Sequence, residues 1–298
     1  MSMSGGTAAS ELADRLSPLA SLRRYGSVLA AFARNSLVRD MTFRANFFFE
    51  CISSVSWTLM NLGLYVIVYR FTPSIGPDSG WGQWQFFAFL ATTWIVHSVV
   101  ETLFMSNAEQ FSEHIRTGSL DFVLLKPIDP QFLVSFQRID WSGLANLVTG
   151  VALLLFSLNK LGLADHLQAG TVLLYGLYVA CGVAILYSVM IALAASSVWL
   201  GRNQTLYDFW FYITNFSRYP MEIYQRGWGW SLWGIFTFIF PVLLVINVPA
   251  RIIARPLDPR AWWEWPLAGF ALIAAVAALC ASRWLFLRAL NAYRSASS

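Results

Sequence analysis

Long runs of apolar positions with few charges divide the chain. They stand at residues 45–70, 84–106, 141–158, 171–200 and about 266–287. A helix needs about 20 mostly apolar residues to cross a bilayer, so each run predicts a membrane-spanning helix. Ahead of them, residues 19–44 alternate differently. Leu22, Tyr25, Leu29, Phe32, Ala33 and Leu37 fall on one side of a helix, and Arg23, Arg24, Arg34 and Arg39 fall mostly elsewhere. That spacing predicts an amphipathic helix lying on the membrane surface; a disordered basic tail is the plainer reading. Residues 1–18 are small and polar and predict a disordered tail. No basic stretch there leads into a short apolar run, so no cleavable leader is expected. Residues 19–298 then make one membrane domain.

Residues 202–265 hold one more crossing, and the pattern offers two places for it. Residues 206–219 are aromatic, short and interrupted by Asp208 and Asn215. Residues 232–248 are more apolar, with Pro241 in the middle. Hydropathy favours the second, and the other is then interfacial or re-entrant. Pro220, Pro241 and Pro249 predict broken helices, which membrane depth tolerates only where protein or a cavity shields the backbone.

Basic residues in short connections set the orientation. Arg23, Arg24, Arg34, Arg39 and Arg44 precede the first span; Arg116, Lys126 and Arg138 lie in the loop 107–140; Arg202 follows the fourth span; Arg283, Arg288 and Arg294 close the chain. The connection 71–83 has no basic residue. Six spans with both termini in the cytoplasm satisfy this distribution.

Composition agrees: 57% of residues are hydrophobic and 12% charged, against about 25% charged in a soluble domain. The net charge of +4 comes from arginines that flank apolar runs instead of forming one basic face, which argues against nucleic-acid binding. Cys51, Cys181 and Cys280 are odd in number and sit inside apolar runs, so no disulfide framework is expected. His97, His114 and His166 fall on different segments, which disfavours a metal site. With Lys126 and Lys160 the only lysines, the chain has no Gly-x-x-x-x-Gly-Lys phosphate loop.

The loop 107–140 is too long for a turn and too short for a domain. Phe111 and Ile115 lie on one face of a short helix, with Glu109, Glu113 and Arg116 elsewhere. Gly118 is placed to cap it, and Asp129-Pro130 starts the next helix. Such an element either docks a soluble partner or is a solvated connector. Acids and histidine at membrane depth default to functional candidates. Glu50, His97, Glu101 and Asp208 are candidates for a path or gate, with His97 and Glu101 sharing a face. The plainer reading pairs the acids with nearby arginines at the inner interface. Gly176, Ala180, Gly182 and Ala184 predict close packing of the fourth span.

The run Ile115-Arg116-Thr117-Gly118-Ser119-Leu120-Asp121, followed by Leu125-Lys126-Pro127, resembles permease subunits of ABC exporters of the ABC-2 type. Its nearest likeness is to a branch of uncharacterised transport-system permeases. Arg218-Tyr219-Pro220-Met221-Glu222-Ile223-Tyr224, Phe240-Pro241 followed by Val248-Pro249-Ala250, and the closing Tyr293-Arg294-Ser295-Ala296-Ser297 fit that branch. The resemblance implies an all-α membrane protein in a bacterial inner membrane. Its parts are an N-terminal interfacial helix, six spans, a cytoplasmic coupling helix after the second, and re-entrant elements before the last on the outer side. On that template the fifth crossing is 206–219. The resemblance also implies a separate ATP-binding subunit, in two copies, that carries ATP and Mg, and a second permease as homodimer or heterodimer. Phe111, Ile115, Arg116, Gly118, Leu120, Asp121, Lys126 and Pro127 are the implied coupling residues. An ion-coupled secondary transporter using Glu50, His97 or Glu101 is the alternative, weakened by the lack of an internal repeat.

Overall fold

The computed structural model describes residues 18–75, 80–164, 167–200, 204–225, 227, 229–255 and 265–296. The predicted N-terminal tail, His166, the turn with Arg202, and Arg226 and Arg260 lie outside the described residues. Among the described residues every regular element is helical.

The chain begins with α1 (Pro18–Thr42) and α2 (Arg44–Phe71). Pro73 disfavours helical geometry in the residue before it, and Thr72 is extended. The α3 helix (Gln83–Val100) starts where Gln85 Oε1 accepts from the Gly82 backbone N–H at 3.1 Å. It runs through a π-helical turn, Glu101–Met105, into α4 (Ser106–Thr117). Two short helices follow, α5 (Leu120–Leu124) and α6 (Pro130–Phe136). Then come α7 (Leu144–Lys160) and α8 (Ala169–Leu200). The broken region holds α9 (Gln204–Asn215), 3-10 turns at Phe216–Arg218 and Met221–Gln225, α10 (Gly229–Gly234) with a π-helical continuation Ile235–Ile239, and α11 (Val242–Ala254). The last helix is α12 (Trp265–Ala296).

Five helical segments are long and apolar enough to cross a membrane: Arg44–Phe71, Gln83–Thr117, Trp141–Lys160, Ala169–Leu200 and Trp265–Tyr293. They match the five predicted runs. A further candidate is a bent pair of helices. Gly229–Ile239 and Val242–Ala254 pass only together and are bent by 86°. Neither 206–219 nor 232–248 is therefore a straight span. The first ends as a helix at Asn215, and the second bends where Pro241 removes a backbone donor.

The core is built on α3, which is buried nearly all round from Phe86 to Val100. The α7 helix closes on it at Gly150, where an added Cβ would stand 3.1–3.3 Å from Ile95, Trp94 and the Ala91 carbonyl. The α8 helix meets α11 at Gly182, whose Cβ would lie 2.6 Å from the Val245 carbonyl oxygen. Gly176 faces open space, so only part of the small-residue stripe is used for packing. By contrast α2 leaves Phe48, Phe49, Ile52, Trp57, Leu64 and Ile67 exposed. It is tied to α7 through Asn146, which bonds Ser54 and Thr58.

Candidate functional site

At one end of the bundle, residues 106–140 form a cap of three short helices. Local chemistry sets its turns. Gly118 is left-handed at φ 70 and ends α4. The Asp129 carboxylate accepts from the Phe132 backbone N–H at 3.0 Å and opens α6, with Pro130 at the first helical position. Both loop ends return to the π-helical turn. Asp140 N–H donates to the Thr102 carbonyl at 2.9 Å, and the Asn107 amide both donates to the Arg138 carbonyl and accepts from its N–H.

Three helices hold this cap. From α1, Arg24 donates to the Pro127 carbonyl at 3.2 Å, Tyr25 meets Phe132 edge-on at 4.7 Å, and Ser36 Oγ accepts from Ile139 N–H at 3.1 Å. From α8, the Tyr187 hydroxyl lies 3.0 Å from Gln131 Nε2 and 2.7 Å from Ser135 Oγ. From α12, Arg283 grips Asp129 with both terminal nitrogens at 3.0 and 2.5 Å, and Gln131 Oε1 at 2.9 Å. Phe111 stacks near Phe286, rings 5.3 Å apart. Half-buried Asp129 is pushed up by desolvation, but Arg283 and the backbone N–H groups of α6 outweigh this and hold its carboxyl below the ordinary aspartate range.

The predicted coupling residues divide into two groups. Phe111 and Leu120 are fully buried and support the cap from inside, and Ile115 is half-buried against the core. An amphipathic helix spends its apolar stripe first on the nearest covered surface, here α12. Arg116, Gly118, Asp121, Lys126 and Pro127 are exposed, and Arg116 pairs with Glu113. Sequence reasoning passed over Phe122 and Leu125, which are 72% and 80% exposed. Their signal was present: Leu120, Val123 and Leu124 occupy the inward side of α5, leaving Phe122 and Leu125 turned out.

Of the four path candidates, the structure brings two together. His97 on α3 is buried, 3.5 Å from Ser217 Oγ and beside Trp210 of α9. Glu101 follows it at the π-helical turn, and Arg218 lies within electrostatic reach of both. Glu50 is exposed on α2 and accepts from Asn46 at 2.7 Å. Asp208 is exposed on α9. No group of three or more metal-ligating side chains occurs among the described residues.

The broken region has its own organiser. The Asn247 amide of α11 accepts from Met221 N–H at 2.8 Å, donates to the Leu243 carbonyl at 2.7 Å and reaches the Tyr219 carbonyl at 3.5 Å. Glu222 pairs with Arg251. The end of α11 stands at the loop between α2 and α3, where the Arg255 guanidinium lies 5.7 Å over the Trp81 ring.

A match to the family described as ABC-2 family transporter protein covers residues 55–297, from within α2 to the end of the last helix. The chain belongs to that family. No curated protein and no solved structure gives a match. Membership together with the apolar helices makes this ABC-2 chain a multi-pass membrane protein. The matched span includes the cap, the broken region and the Arg283 contacts.

Proposed function

We propose that the chain is the membrane permease of an ATP-driven ABC-2 exporter and that the 106–140 cap is the cytoplasmic surface on which a separate ATP-binding subunit docks. One observation carries this reading. Phe122 and Leu125 stand out from an otherwise polar cap whose other large apolar side chains are turned inward. Paired exposed apolar residues rimmed by Arg116, Asp121 and Lys126 suit a partner's groove. The chain has no phosphate-binding loop, so ATP and Mg belong to the partner, in two copies for two permeases. The large apolar face of α2 suits lipid or a second permease.

The arginine distribution supports a cytoplasmic cap, α1 and C-terminus, and the family suits a bacterial inner membrane. In that setting α1 lies along the interface. Its half-buried side rests on the cap, Arg23, Arg24, Arg34 and Arg39 are exposed, and Val38 and Phe43 are left for lipid. Cytoplasmic ends on both sides of the bundle then require the α9–α11 region to make one broken crossing, with the end of α11 at the outer side beside Trp81.

The test is co-expression with an ATP-binding subunit and purification through a tag on this chain. Wild type is expected to retain the subunit, and Phe122→Asp with Leu125→Asp to release it while eluting as a folded membrane protein. Transport by the purified chain with no ATPase bound would overturn the proposal.

A further inference from the structure

The cap grows out of α3 but is fastened elsewhere. Its covalent root passes through the π-helical turn Glu101–Met105, a backbone irregularity that marks a place where a helix bends. Its firmest side-chain fastening is to α12. Arg283, Phe286, Leu290 and Tyr293 follow one another at spacings of three, four and three, so they form one stripe of that helix. Arg283 holds Asp129 and Gln131. Phe286 meets Phe111. Tyr293, next on the stripe, lies within electrostatic reach of Asp121. Gln131 and Ser135 then carry the contact on to Tyr187 of α8.

We infer that Arg283 is a positioning residue that makes the cap move with the fourth and last spans, with the π-helical turn of the second span as the pivot. The inference rests on the docking role proposed for the cap. A displacement imposed at Phe122 and Leu125 reaches α12 and α8 through a two-pronged, charge-assisted contact, whose directionality a lysine or a neutral amide does not reproduce. The side chains of Arg283 and Asp129 are 42% and 30% exposed, so water can replace the contact when it opens.

The complex of full-length permease and ATP-binding subunit tests this. Arg283→Gln, Arg283→Lys and Asp129→Asn are compared with wild type. The readouts are retention of the subunit and permease-dependent ATP hydrolysis in lipid vesicles. Retention is expected to stay at the wild-type level in all variants. Hydrolysis is expected to fall about tenfold in Arg283→Gln and Asp129→Asn and by less in Arg283→Lys. A merely structural role would lower retention and thermal stability in step with hydrolysis. Bound subunit with wild-type hydrolysis in Arg283→Gln overturns the inference and leaves the docking role standing. A wild-type permease that binds no subunit overturns both. If Arg283→Gln fails to fold, amide exchange of residues 118–127 in Arg283→Lys decides: faster exchange than wild type supports the clamp, and equal exchange refutes it.

Discussion

The cap at 106–140 and the broken region at 204–255 both interrupt regular helix, and they do so by opposite means. In the cap, each interruption is made by the residue at the turn itself. Gly118 adopts the left-handed conformation that other residues resist, and Asp129 caps α6 with its own side chain. In the broken region the interruption is held from a distance. Asn247 lies 26 and 28 residues from the two backbone groups of Met221 and Tyr219 that it serves. A turn facing water can leave spare backbone groups to solvent. A turn at membrane depth cannot, because an unpaired buried amide or carbonyl costs about 1–3 kcal/mol. The difference teaches where each region is vulnerable: the cap at its own turn residues, the broken region at a remote side chain.

The largest expected effect follows from removing that remote support. Asn247→Leu strands the Met221 N–H in a buried site and is expected to cost about 3 kcal/mol once the Tyr219 and Leu243 contacts are included, measured as thermal stability in detergent. An unchanged melting temperature would erase the contrast between the regions. Gly182→Ala comes next. Its methyl would meet the Val245 carbonyl oxygen at 2.6 Å, so either α8 or α11 must shift, at about 2 kcal/mol. Gly176→Ala, which meets nothing within 4 Å, is the matched control and is expected to be neutral or slightly stabilising.

In the cap the effects are smaller. Gly118→Ala also meets nothing within 4 Å, so its cost is conformational only, about 1 kcal/mol, and Gly118→Asn should recover most of it. Asp129→Asn is expected to cost under about 1 kcal/mol, because the pair with Arg283 is partly open to water. Its pH dependence has a fixed sign. The folded carboxyl titrates below its ordinary value. Its stabilisation is therefore present above the ordinary aspartate range and is lost as pH falls through the lowered folded value. The stability difference between wild type and Asp129→Asn should thus hold through neutral and mildly acidic pH and close only in strong acid. A difference that vanished near pH 6 would point to a histidine, with His114 the nearest candidate in the cap.

Much of this was legible in the chain itself. The five long apolar segments, the Gly118 stop and the Asp129-Pro130 start depend on composition and on single residues acting on their own backbone, and these rules work locally. The inward turn of Phe111 could not be seen, because an apolar stripe on a short helix looks the same whether it faces a partner or the chain's own last helix. The pairing of Arg283 with Asp129 was equally hidden, since 154 residues separate them. The same holds for the bent pair before the last helix. When nearly every residue from 232 to 254 is apolar, hydropathy cannot order burial within it, and α11 lies inside against α3 and α8 while Phe238 and Ile239 remain exposed. The sequence by itself determined a helical membrane protein and the positions of its local stops. The tertiary structure alone decided which apolar face is turned inside, where the helix pair before the last helix bends, and which helix holds the cap, because each of these depends on surfaces that meet only when distant segments pack.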